Sequence, residues 1–231
     1  MLWQDTPNEH DEPAADEIVD LAFRLSGGTL PVEHAHALSQ ALLAELPWLA
    51  EEPGCGIHQI HVAASGNGWM RPPGDAREVL NLSRRTRLTL RLPRQRLAAA
   101  QDLIGRSLDV AGHCLEVGEA RARPLRASST LFARYVVCAD SGHRDEEIFI
   151  DWVAGALRDM GITPTKLLCG MTSRIDLPPA PLMTRSLMVA ALPRDASLEL
   201  QRRGLGSGRL KGCGLFVPHK GIEAVRNGDQ N

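Results

Sequence analysis

Between Glu17 and Leu25 the apolar residues Val19, Leu21, Phe23 and Leu25 alternate with polar or small ones, the two-residue period of a strand with one buried face. Gly27 and Gly28 end it. The period then lengthens. Leu38, Leu42 and Leu46 recur on one stripe between Pro31 and Pro47, which predicts a helix over about 32–46. Short strands over 56–62 and 79–82 bracket a Gly/Pro-rich loop at 66–74, and Leu88, Leu90 and Leu92 alternate with Thr89 and Arg91 in a strand over 87–92. A second helix opens at Pro93, carries Leu97, Ala100, Leu103 and Ile104, and stops at Gly105. A strand over 108–117, turning at Gly112, closes the set.

The order strand, helix, two strands, helix, strand then recurs. A strand is expected over 130–138, a helix over 145–160 with Ile148, Trp152, Ala156 and Leu157 on one face, and a strand over 165–169 after Gly161. Pro178, Pro179 and Pro181 interrupt the middle. A strand over 187–192, a helix over 195–203 and a strand over 213–217 follow. The expected fold class is therefore α+β, with two tandem ferredoxin-like (RRM-like, βαββαβ) domains. The expected boundaries are 17–122 and 123–231, joined near Pro124. Residues 1–16 form an acidic leader with Pro7 and Pro13, a composition that buries too little apolar area to offset ordering entropy and is expected to be disordered.

A chain of 231 residues is long enough for two such domains, and 43% hydrophobic with 23% charged residues suits a soluble protein. No apolar run approaches the roughly 20 residues of a membrane helix, and the start Met1-Leu2-Trp3-Gln4-Asp5 lacks the basic and apolar regions of a signal peptide. A cytoplasmic protein with no membrane partner is expected. Five cysteines at wide spacings, with no CxxC pair, suggest no disulfide framework. Cys55, His58 and His61 lack an obvious fourth ligand, so neither a metal site nor a cofactor is assigned.

The net charge of −2 conceals a segregation. Residues 1–23 hold seven acids and no Lys or Arg, which leaves 26 bases against 21 acids, a net of +5, on the rest. Within that body residues 83–134 hold eleven arginines against four acids, and residues 194–220 six bases against two. Such clusters suit a polyanion. Aromatic residues make up only 4% of the chain, with Tyr135 the one tyrosine, so base stacking would contribute less than phosphate contacts and shape.

The densest chemistry lies in Gly204-Leu205-Gly206-Ser207-Gly208-Arg209-Leu210-Lys211-Gly212-Cys213-Gly214. Its glycines permit positive φ and close approach of a ligand, while exposed amides with Arg209 and Lys211 can hold phosphate oxygens. No Gly-Lys-Ser/Thr opens a helix here, and the order helix, loop, strand is not that of a dinucleotide site. The spacing glycine, apolar, glycine, five residues, glycine, any residue, glycine resembles the C-terminal signature of the CRISPR-associated Cas-six repeat-processing endoribonucleases. Gly204, Gly206, Gly212 and Gly214 all match. The wording is nearest the MYXAN subtype, and the likeness extends to Leu30–Leu38, Leu88–Pro93 and Gly105–His113.

That resemblance implies an endoribonuclease that needs no metal and cuts CRISPR repeat RNA, a hairpin in many cases, in the precursor transcript to make guide RNAs. It implies a 2′,3′-cyclic phosphate product and association with other subunits of a CRISPR effector complex. A non-catalytic RNA-binding subunit of the same fold is the alternative. Attack by the RNA's own 2′-hydroxyl needs a base, and a histidine with a pKa of about 6.5 is largely neutral at cellular pH. Of eight histidines, family position implies His34, in the expected first helix, with His36 as the other candidate. The two lie about 200° apart around a helix. Expected RNA-binding residues are Arg202 and Arg203, Gly204, Gly206, Arg209, Lys211, Gly212 and Gly214, with Arg84, Arg85 and Arg87 beside a strand as a second group.

Overall fold

The alternation of the first strand becomes the middle of a sheet. The computed structural model describes residues 18–61, 79–137, 145–163 and 166–219; the expected leader 1–16 and the loop 66–74 lie outside them. The N-terminal half runs β1 (Ile18–Ser26), β2 (Thr29–Pro31), α1 (Ala35–Glu45), β3 (Gly56–Ile57), β4 (Val79–Asn81), β5 (Arg87–Pro93), α2 (Leu97–Gln101), β6 (Ser107–Val110) and β7 (His113–Pro124). β1 pairs antiparallel with β5 on one side and β7 on the other, and the sheet reads β3-β5-β1-β7-β6. Strands β7, β1, β5 and β3 stand in the order fourth, first, third, second of a βαββαβ unit, with β6 added at the edge beside β7. Val19, Leu21, Phe23, Leu88, Leu90 and Leu92 face α1 and α2 across one buried core with Leu38, Leu42 and Leu103.

Several expectations are revised here. β4 leaves the main sheet and pairs with β2 instead, because the turn closed by Thr86 N–H on the Ser83 carbonyl (2.9 Å) separates it from β5. α1 starts at Ala35, three residues late, with His34 at its N-cap. α2 is short, and Ile104, expected in the core, is 45% exposed because the helix unwinds after Gln101. The strand expected over 108–117 is a hairpin. Val110 faces His113, and Ala111 (φ 53°) with Gly112 (φ 82°) supplies the two left-handed residues of a tight turn that suits twisted strands.

The C-terminal half runs β8 (Thr130–Val137), α3 (Glu146–Asp159), β9 (Lys166–Ile175), β10 (Leu182–Ala190), α4 (Arg194–Arg203) and β11 (Val217–Pro218). Its sheet, β11-β8-β10-β9, repeats the same order. Asp145 caps α3 by accepting from the amides of Glu147 (2.9 Å) and Ile148 (3.1 Å), worth about 1 kcal/mol. Phe149, Val153 and Leu157, four residues apart, form its buried stripe, each side chain contributing roughly 1.5–3 kcal/mol. This corrects the expected face of Ile148, Trp152, Ala156 and Leu157, since Trp152 and Ala156 lie at its margin and Ile148 is 56% exposed. The prolines at 178–181 do not break a strand; they form the connection of the β9–β10 hairpin, in which Ile175 faces Leu182. β11 is shorter than expected because 213–216 are drawn into the preceding loop.

One irregularity in β8 joins the halves. Leu187 of β10 faces Ala133 whereas Arg185 faces Val136, so β8 carries one residue too many at Arg134–Tyr135. This bulge resets the alternation. Leu131, Ala133 and Val136 enter the C-terminal core, while Tyr135 and Val137 turn outward onto Ala35 of α1 and Cys213. A second link between the halves runs from a buried ion pair of the first to backbone carbonyls of the second. Arg91 of β5, wholly buried, grips Asp20 of β1 through Nε (2.8 Å) and Nη2 (2.9 Å), and its Nη1 reaches across to the carbonyls of Gln201 and Phe216, both at 2.9 Å.

Candidate functional site

α4 ends where Gly204, at φ 68°, returns its amide to the Leu200 carbonyl (2.9 Å). The loop that follows is folded tightly on protein. Gly214 donates to the Tyr135 carbonyl at the β8 bulge (2.7 Å) and lies so close to Leu205 that a Cβ would collide with the Leu205 carbonyl. Gly212, at φ 80°, rests against Gln59, whose Nε2 donates to the Lys211 carbonyl (3.0 Å). The sequence expectation therefore changes in one respect: Gly204, Gly206, Gly212 and Gly214 have no Cβ because neighbouring protein atoms occupy that space. The amides of 204, 205 and 211–214 are bonded internally. Those of Gly206, Ser207 and Gly208 meet no protein acceptor among the described residues, and Gly206 and Ser207 are exposed. Successive amides left without a protein acceptor can bind an anion.

The cations of the loop differ in their surroundings. Arg209 is turned inward onto four backbone carbonyls, those of Gly54, Cys55, Arg202 and Arg203. Burial, then the nearby Arg91, lowers its guanidinium to about 10, so it remains charged at neutral pH. Lys211 has no acidic partner among the described residues and is half-buried. Arg202 and Arg203 project from the end of α4 and share Glu199 at 3.8 Å each, contacts too long and exposed to hold them firmly. Arg84 and Arg85 stand exposed on the turn before β5, and Arg87 donates to the carbonyls of Arg84 and Thr86. Arg87 pairs with Arg24, four residues and about 13 Å along β5 from Arg91. The fold thus gives this second group its own surface, apart from the staple at Arg91.

α1 packs against the turn Arg209–Lys211, so the candidate histidines and the glycine loop meet at the domain junction. His34 is only 2% exposed. Its Nδ1–H donates to the carbonyls of Pro31 (2.9 Å) and Val32 (3.1 Å), and Nε2 accepts the Ile60 amide (3.0 Å). An amide can only donate, so Nε2 carries no proton and its lone pair is occupied. Burial outweighs the two carbonyls and lowers the pKa of the ring. The expectation that His34 supplies the base thus meets a ring with both nitrogens engaged. His36, one residue into the helix, is half-buried, and its Nδ1 is itself buried with no partner among the described residues.

Two residues of this junction carried no functional assignment from the sequence. His61 follows Ile60; loss of water, then the charge of Arg134 and the rings of His34 and His58, pull it down to about 4. Arg134 comes from the β8 bulge. No periodicity marks a bulge in one strand, and residue spacing could not place His61 beside a side chain 73 positions later. Cys55 and Cys213 are pushed up to about 12 by burial, so neither is a thiolate at neutral pH. Beneath the junction Asp20 is held well below the usual carboxylate range: burial opposes its charge, but His58, 3.5 Å away, and the hydrogen bonds and charge of Arg91 prevail.

The Cas6 CRISPR family model matches residues 19–221. The chain is 32% identical over 200 residues to the CRISPR-associated endonuclease Cas6 of Myxococcus xanthus (strain DK1622), covering 87% of this chain and 81% of that protein. The fold matches a structure described as an RAMP protein binding different RNA substrates, with TM-score 0.57 and 13% identity over 87% of this chain and all of the other. It also matches a CRISPR associated protein Cas6, with TM-score 0.55 and 11% identity over 88% of this chain and all of the other. The tandem ferredoxin-like architecture, the four signature glycines packed at the junction and a family match across both halves agree: this chain belongs to the Cas6 family.

Proposed function

We propose that this protein is an endoribonuclease that cleaves CRISPR repeat RNA in its precursor transcript, without a metal, by attack of a 2′-hydroxyl. The observation that carries the reading is the meeting of α1 and the glycine-rich loop at one junction, in a chain similar to a Cas6 endonuclease over most of its length. RNA phosphates are held by the free amides of Gly206–Gly208 and by Lys211, with Arg202 and Arg203 extending the basic surface. Arg84, Arg85 and Arg87 contact the flanking RNA or its stem.

Of the two histidines, His36 is the base in this reading, because its ring is partly exposed and no hydrogen bond among the described residues holds it, its buried Nδ1 included, whereas His34 would have to surrender the Ile60 amide. His34 instead fixes the start of α1 and so the place of His36. His36 takes the proton of the 2′-hydroxyl, whose oxygen attacks phosphorus. The bond from phosphorus to the 5′-oxygen breaks, that oxygen takes up a proton, and a 2′,3′-cyclic phosphate remains. Lys211 and the loop amides offset the charge that builds on the phosphorane oxygens.

The test is single-turnover cleavage of a repeat RNA in EDTA. Wild type is expected to cut at one position and leave a cyclic phosphate. Tight binding with intact RNA would instead identify a non-catalytic RNA-binding subunit, and loss of cutting in EDTA with recovery in Mg²⁺ would refute the metal-free mechanism.

A further inference from the structure

Arg209 lies inside the family signature, where a guanidinium is expected to meet phosphate, yet its fork faces protein. Nε donates to the Cys55 carbonyl (3.1 Å), Nη1 to Arg203 (2.7 Å), and Nη2 to both Gly54 (2.8 Å) and Arg202 (3.2 Å). Four of the five N–H groups of a guanidinium are thereby used. The acceptors come from two places. Gly54 and Cys55 precede β3 in the first domain, whereas Arg202 and Arg203 are the last residues of α4 in the second.

The end of a helix leaves four carbonyls without intrahelical donors. In α4 each has been supplied: Leu200 by the Gly204 amide, Gln201 by Arg91, and Arg202 and Arg203 by Arg209. One guanidinium arrives from each domain, at the end of the helix where its dipole favours positive charge. Arg91 is tied to Asp20 behind it and Arg209 to the carbonyls before β3, so the two arginines cross the junction in opposite directions. The turn Arg209–Lys211 is fixed at its first residue by this latch and at its last by Gln59.

We propose that Arg209 is a positioning residue of the cleavage site and not an RNA contact. It closes the carbonyl end of α4 onto the first domain and so sets the turn bearing Lys211 against α1. This rests on the reading of the chain as a repeat-cleaving ribonuclease. Two properties separate such a latch from a phosphate ligand. It makes no phosphate contact that its loss would remove, and its function requires a flat fork, which an ammonium cannot replace.

The experiment compares Arg209→Gln, Arg209→Lys and Lys211→Gln in the full chain with a repeat RNA, recording affinity against salt and the single-turnover rate at saturating RNA. Loss of one phosphate contact lowers the slope of log affinity on log salt by about 0.7–0.9. The expected result is that Lys211→Gln loses that slope while Arg209→Gln keeps the wild-type slope and cuts at least about 10-fold more slowly. A slope lowered by Arg209→Gln, with its rate at saturation unchanged, overturns the proposal. If that variant does not fold, Arg209→Lys decides: a rate reduced at least about 10-fold with the slope intact supports the latch, and a wild-type rate overturns it. Should wild-type protein neither bind nor cut repeat RNA, the functional reading fails by itself. The latch is then judged by thermal unfolding, where a midpoint lowered in Arg209→Lys upholds it and an unchanged midpoint refutes it.

Discussion

At the scale of single residues, the two candidate histidines separate by what their nitrogens touch. His36→Ala is expected to slow cleavage at saturating RNA by about 10²–10⁴-fold, the usual worth of a general base, with affinity nearly unchanged in a filter-binding assay. His34→Ala is expected to lower the melting temperature as well, because it orphans the Ile60 amide and the carbonyls of Pro31 and Val32. The pH dependence of stability follows from the same groups. Burial lowers the pKa of His34 and His58 in the folded state, so the unfolded chain takes up protons first and their contribution, full above about pH 6.5, is lost as pH falls. Asp20 acts lower. Its depressed carboxylate stabilises the fold above about pH 4, and that contribution goes as pH falls further. Urea titrations between pH 8 and 3 should show stability declining below about 6.5 and again below about 4. Asp20→Asn should remove the second decline and cost about 3–5 kcal/mol at pH 7, because Arg91 is left buried with no counter-ion.

Among elements, the glycine loop makes the sharpest comparison. Gly214→Ala and Gly161→Ala both place a methyl group at positive φ, near 66° and 74°. A methyl at 161 meets nothing within 4 Å and should cost only the conformational strain, about 1–2 kcal/mol. At 214 it collides with the backbone of Leu205, which cannot move without disturbing α4, so the loss in chemical denaturation should be clearly larger. Strands such as β1 and β8 and helices such as α3 and α4 were legible in the sequence, because one buried face imposes a period of two or 3.6 along the chain. What escaped was set by partners distant in sequence. β4 has the composition of a sheet member but pairs with β2; α1 starts late because the His34 ring occupies the carbonyls before it. The loop was legible as a ligand site by composition and family spacing. The use of its glycines for close packing, and of Arg209 as a latch, depends on Gly54, Cys55 and Gln59, some 150 residues earlier in the chain, which no local pattern reveals.

For the whole molecule, the outward face of the β8 bulge and two arginines join two cores that each close on their own sheet. The halves should therefore unfold together. Trp48 packs on the first core and Trp152 on the second, so variants keeping only one tryptophan each should report the same denaturation midpoint. Arg91→Gln should separate the two midpoints. The same arrangement bears on how the chain could be divided. β7 ends at Pro124 and β8 begins at Thr130, while the carbonyl of Arg126 and the amide of Ser128 are already bonded to α4. A break at Leu125 would cost one covalent tether and none of the latch. It would leave the α1 histidines on one fragment and the glycine loop on the other, so each piece alone should be silent towards RNA cleavage. Co-expression should restore cutting by reassembly, which makes the protein a candidate for a switch governed by whatever brings its two fragments together.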